Sequence, residues 1–206
     1  MRSLWLPSAS IRLAFTGEII MADYEMLRRA HKPSTIDLLF LAESPPVPWN
    51  GHTPFFYDES EDMPSIGLFQ TMMKALYPQE WRKVKKDFLT IFKTRSNYYL
   101  IDASSVPLEK KEKDRRLTEI KESGAVFDNI KRLAEEGSFE AGRISLIIIG
   151  SKVHEVFYGY LVGAPPIETS RGRYTIAVLN KEPLNFPRDR KSTDNFIREL
   201  RKLMGI

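Results

Sequence analysis

The chain has 206 residues, 42% of them hydrophobic and 28% charged, which is enough for one domain with a real core and ordinary for a soluble globular protein. Lysine and arginine number 31 against 27 acidic residues, and a net charge of +4 permits contact with a phosphate backbone without demanding it. There are 0 cysteines, which excludes disulfides, thiol catalysis and Cys-ligated zinc or iron–sulfur clusters.

No stretch is apolar for long enough to span a bilayer, so no membrane partner is expected and a cytoplasmic location is. Residues 1–20 hold apolar patches broken by Arg12 and Glu18, with no signal-peptide core. They read as a loosely attached extension or a misplaced start before Met21-Ala22-Asp23; the alternative is an ordered N-terminal strand. Residues 21–206 read as a single domain. A first helix is predicted over 23–31, ended by Lys32-Pro33, and a buried strand over 36–42. A long loop to Pro64 follows, crowded with Pro, Gly and aromatic residues, and such loops are more often working loops than connectors. Three adjacent rings, Phe55-Phe56-Tyr57, are not all expected to be buried from an irregular segment, so at least one should line a pocket.

Ser65 is a good N-cap for a helix over 66–76 with Ile66, Phe69, Met73 and Leu76 inward. A second helix, over 79–92, turns Trp81, Val84, Phe88 and Ile91 inward and leaves Arg82, Lys83, Lys85 and Lys86 mostly to solvent. Residues 98–103 form the second strand. Helices over 109–121 and 125–136 come next, with Gly124 as the break. Residues 143–149 are the least ambiguous strand. Gly150-Ser151 opens a helix through Tyr160, a turn suited to an anion or, more simply, to close packing. A fourth strand spans 173–179, and a helix over 188–204 ends the chain. Strands alternating with helices predict βαβ units and a mostly parallel sheet, hence one three-layer α/β/α domain.

Ligands of open α/β sheets bind off the carboxyl ends of the strands. Three polar groups fall there: Glu43 after the first strand, Asp102 after the second, and the segment from Asn180 to Arg190 after the last. Ala42-Glu43-Ser44-Pro45-Pro46 resembles the first motif of the uracil-DNA glycosylase superfamily, of Gly-Glu-Ala-Pro-Gly type. Pro54-Phe55-Phe56 falls about where that superfamily places its base-stacking Phe. Tyr99-Leu100-Ile101-Asp102-Ala103 is similar to its Leu-Thr-Asn-Ala segment, whose Asn reads the uracil edge.

The resemblance implies four central parallel strands in the order 2-1-3-4. It also implies a hydrolase that cleaves the N-glycosidic bond of a flipped uracil or other deaminated base in DNA repair. Glu43 would then orient water and stabilise the sugar cation, and Phe55 or Phe56 would stack on the base. Asp102 and Asn180 would border the same cleft. The sequence departs from the pattern at two points. Asp102 stands where the family has an amide, and an ionised carboxylate only accepts hydrogen bonds. This suits a base edge rich in N–H donors better than uracil; Asp102 equally suits capping a turn or pairing with an arginine. The His-Pro-Ser motif expected after the last strand is absent; Asn180-Lys181-Glu182-Pro183-Leu184-Asn185-Phe186-Pro187-Arg188 stands there. Leu184 and Phe186 remain candidates for wedging into DNA, and Lys181, Arg188, Arg190 and Lys191 for meeting phosphate. The alternative for this segment is a Pro-rich loop that tucks Phe186 into the core. DNA is the expected partner of an expected monomer without metal or cofactor, and a non-catalytic nucleic-acid or nucleotide binder on the same fold is the second functional reading.

Overall fold

The computed structural model describes residues 17–46, 55–59, 67–80, 83–140 and 142–206, with backbone alone for residues 17–23. Residues 1–16 of the expected extension, the loop through Trp49 and Pro54, the cap Ser65, and Ile66, Trp81 and Arg82 lie outside the described residues. The elements run α1 (Gly17–Ala30), β1 (Leu38–Ala42), α2 (Leu68–Leu76), α3 (Lys85–Thr94), β2 (Tyr98–Asp102), α4 (Lys113–Ser123), α5 (Ala125–Glu135), β3 (Gly142–Ile148), α6 (Ser151–Val162), β4 (Ile167–Thr169), β5 (Gly172–Val178) and α7 (Arg190–Met204). The class is α/β, with a five-stranded sheet in the order β2-β1-β3-β5-β4. Four strands are parallel; β4 pairs antiparallel with β5 at the edge.

The four strands anticipated from sequence are the four parallel ones, in the expected relative order. The fifth was missed because β4 is a three-residue arm of a hairpin that turns back at Gly172, where φ is 140°. So short a strand has no periodicity to detect.

β1 is the centre of the fold. All five of its residues are buried, so both faces of the sheet are covered there. Leu39, Phe40 and Leu41 lose all contact with solvent, and burying each contributes about 1.5–3 kcal/mol. The chain steps from β1 outward to β2, then returns across β1 to β3. The order therefore reverses between β1 and β3, the place where open α/β sheets leave a crevice at the strands' carboxyl ends.

Two helices differ instructively from their predicted faces or bounds. α3 starts only at Lys85, so Val84 is its extended N-cap residue and is exposed rather than inward. Lys85, expected in solvent, is buried; its ammonium donates to the Phe55 carbonyl at 2.7 Å and lies 5.3 Å from the Phe69 ring centre. α1 begins at Gly17, upstream of the predicted start at Asp23. α7 opens on a reciprocal cap between Asp189 and Ser192, and its Arg201 donates to the Lys74 and Ala75 carbonyls that end α2.

Beyond β5 the ladder to β3 is continued by a side chain. Asn180 Oδ1 accepts from the Ile148 N–H at 2.9 Å, and Nδ2 donates to the Ile148 carbonyl at 2.9 Å and the Glu182 carbonyl at 3.1 Å. Its own carbonyl meets His154 Nε2 at 3.0 Å. Truncating Asn180 to alanine strands both polar groups of a fully buried residue. Asn180→Ala is therefore expected to cost about 2–4 kcal/mol in urea denaturation, with an unchanged m-value.

Candidate active site

A cavity of about 810 Å³ opens at the carboxyl ends of β1 and β2 and the start of α6. Its walls include Glu43 to Pro46 after β1, Asp102 at the end of β2, Gly150 to Lys152 at the start of α6, and Phe186, Arg188 and Asp189 before α7. The register explains the two acids. Ala42 pairs with Asp102, and the Ser104 N–H donates to the Glu43 carbonyl at 3.0 Å, so both carboxylates leave the sheet at one level.

Each carboxylate has a cation. Asp102 Oδ2 accepts from Arg28 Nη2 at 2.8 Å, with only 5% and 7% of the two side chains exposed. Burial pushes the Asp102 carboxyl up, Arg28 pulls it back and the neighbouring Glu43 charge adds to the rise, for a net upward direction. Burial disfavours the Arg28 charge, but Asp102 and Glu25 more than offset it and hold the guanidinium charged. Among the described residues no acceptor reaches Arg28 Nε, which is buried. Glu43 Oε1 sits 2.7 Å from Lys113 Nζ, and here 21% and 24% of the side chains remain exposed. Three carboxylates (Glu43, Asp102, Asp189) and four cations (Lys85, Lys113, Lys152, Arg188) line the cavity.

The aromatic segment is held by its polar groups. The Tyr57 hydroxyl accepts from the Leu100 N–H at 2.7 Å and donates to the Leu100 carbonyl at 3.1 Å, closing the open edge of β2 at this point. The Lys85 ammonium satisfies the Phe55 carbonyl of this irregular segment inside the protein. All three rings are consequently buried: Phe55 at 2%, Phe56 at 7% and Tyr57 at 0% exposure, against the expectation that one would stay open. Phe55 and Phe56 still contribute to the cavity wall.

Of the residues named from sequence, the structure brings Glu43, Phe55, Phe56, Asp102, Phe186 and Arg188 to this cavity. Asn180 is not among the wall residues; its amide is spent on Ile148. Leu184 is no wedge. It is buried in a parallel bridge to Ile149, and its carbonyl accepts from the Gly150 N–H at 2.8 Å. Phe186, not tucked inward, is 38% exposed. Arg190 and Lys191 are exposed on the first turn of α7. Asp102 has one oxygen committed to Arg28, so the expected two-oxygen acceptor is reduced to one. Sequence reasoning missed Arg28, Lys85 and Lys113. Arg28 and Lys113 carry no local signal, because their partners are 74 and 70 residues away.

Among the described residues no group of three or more His, Asp or Glu is placed to hold a metal ion, and no helix is long and apolar enough to cross a membrane. No family model matches the chain, and neither a curated protein nor a solved structure does. The molecule is thus an α/β protein with a mostly parallel sheet whose carboxyl end carries a cavity floored by two paired carboxylates.

The buried pair has a measurable consequence. Arg28→Met leaves an uncompensated buried carboxylate and is expected to cost about 3–5 kcal/mol in chemical denaturation. Asp102→Asn costs less, because Arg28 keeps Glu25 at 2.8 Å. Combining Arg28→Met with Asp102→Leu recovers most of the single-variant loss.

Proposed function

We propose that this chain is a nucleic-acid base glycosylase built on a three-layer α/β/α, uracil-DNA glycosylase-like frame, which hydrolyses the N-glycosidic bond of a flipped uracil or other deaminated base in DNA. The observation that carries this reading is that Glu43 stands on the wall of a cavity large enough for a nucleotide, at the reversal of strand order, where its carboxylate can meet a sugar. Two further features support it. The four parallel strands follow the relative order that such a frame requires. The rim carries an exposed ring, Phe186, beside Arg188, a pairing suited to a base and a phosphate.

In this reading the flipped nucleotide enters between Pro45-Pro46 and Phe186. Glu43 holds a water against C1′ and faces the positive charge that develops on the sugar. Asp102, fixed by Arg28, accepts one hydrogen bond from the base edge. Arg188, Arg190 and Lys191 meet the phosphates outside.

A second reading, a non-catalytic nucleic-acid binder, is favoured by one observation: both floor carboxylates are already neutralised by cations. One experiment separates the two. Single- and double-stranded oligonucleotides carrying uracil, hypoxanthine, xanthine or a mismatch are incubated with protein, and abasic sites and binding are both measured. The glycosylase reading expects abasic sites, and Glu43→Gln lowers single-turnover release by roughly two orders of magnitude with affinity little changed. Binding without any abasic site selects the binder instead.

A further inference from the structure

The two ion pairs on the cavity floor are built differently. Asp102 and Arg28 are both more than nine-tenths buried, and Arg28 is held a second time by Glu25. Glu43 and Lys113 keep about a fifth to a quarter of their surface in the cavity, and the contact between them is a single 2.7 Å approach. The first pair is buried and doubly held; the second is partly exposed and singly held. Lys113 is also the first residue of α4, where a cation opposes the helix dipole. Helix stability therefore gives no reason for a lysine here, whereas the cavity does.

Resting on the glycosylase reading, we infer that Lys113 is the acid of the reaction and that it leaves Glu43 to reach the departing base. Breaking the C1′–N bond sends its electron pair out with the base, and something must receive that charge. The segment after β5 offers no histidine for it. In inverting glycoside hydrolases the acid and base carboxyl groups stand about 6.5–9.5 Å apart to leave room for the water, and by that analogy Glu43 and Lys113, resting at 2.7 Å, are too close to act together. The pair must open for both to act. The lysine has the longer and more flexible stem, so it is the partner that moves.

The step balances within the site. The oxygen of water bonds to C1′ as the bond to the base nitrogen breaks. Glu43 takes a proton from that water, and the base nitrogen takes one from the Lys113 ammonium. When the base has gone, the two side chains close again and the proton on Glu43 returns to Lys113. Both residues are restored, and the net change is addition of water across the glycosidic bond.

The test compares wild type, Lys113→Met, Lys113→Arg and Glu43→Gln in single-turnover release. Two oligonucleotides are used: one with the base that the wild type excises fastest, the other with a ring-halogenated form of that base, which departs more readily. Lys113→Met is expected to lower release roughly 100-fold on the first and by less than tenfold on the second, since a better leaving group needs less help from an acid. Lys113→Arg, which keeps the charge, restores part of the loss on both. Affinity for the oligonucleotides stays within about threefold, as expected of a group that acts in the transition state. If Glu43→Gln is impaired while Lys113→Met releases base at the wild-type rate, or loses the same factor on both bases, the role of Lys113 is overturned and the glycosylase reading stands. A wild type that releases no base from any oligonucleotide of the uracil, hypoxanthine, xanthine and mismatch panel overturns both.

Discussion

The parallel register between β1 and β2 is the constraint on which the cavity depends. Ala42 lies opposite Asp102, and one residue later the Glu43 carbonyl takes the Ser104 N–H. Two acidic side chains are thereby brought to the same level at the same end of the sheet. A slip of one residue would turn Asp102 and every neighbour to the opposite face. What forbids the slip is burial: β1 is apolar and covered on both sides, and Leu100 is held in place by both polar contacts of the Tyr57 hydroxyl. The same hydroxyl fixes the aromatic segment, so one phenol sets both a strand and a cavity wall.

Burial, with the Glu43 charge adding to it, raises the cost of ionising Asp102. The chain answers with two cations drawn from distant places. Arg28 arrives on α1, 74 residues before Asp102, and Lys113 arrives on α4, 70 residues after Glu43. Arginine suits the deep position, because its fork bridges Glu25 and Asp102 with separate nitrogens at 2.8 Å each. Lysine suits the open one, because a single ammonium on a flexible stem is easily moved. The arrangement gives the cavity one deeply buried acid and one partly exposed acid.

Much of the fold is legible in the sequence because it is written in local patterns. The apolar runs ending at Ala42 and Ile149 and the break at Gly124 each report a structural boundary. Glu43 is legible for the same reason: it follows a strand and precedes two prolines. The failures have a common cause. Asn180, Leu184 and Lys85 look like loop or surface residues along the chain, and each is claimed by a backbone group remote in sequence. Asn180 goes to Ile148, Leu184 to Gly150 and Lys85 to Phe55. An amide in a loop after a strand reads equally well as a ligand contact or as a substitute for a missing ladder bond. Only the neighbouring strand's unpaired N–H and C=O decide between them. The buried rings of Phe55 and Phe56 follow the same rule, for the Phe55 carbonyl and the Tyr57 hydroxyl beside them find remote partners in Lys85 and Leu100.

The rim of the cavity completes the argument, since it is anchored without being buried. Leu184 is tied to Ile149 and Gly150, and Asp189 is tied to Ser192 by the cap of α7. Between these anchors lie only Asn185, Phe186, Pro187 and Arg188, and Pro187 is itself buried. Proline fixes one backbone angle of this short span and its burial fixes the position. Phe186 and Arg188, on either side of it, are left outside with little backbone freedom behind them. An exposed ring normally loses conformational entropy when it contacts a ligand, and a span held this way has already lost most of it in folding. The rim is thus held at both ends by backbone and capping hydrogen bonds, while the Glu43–Lys113 pair below it keeps part of its surface exposed.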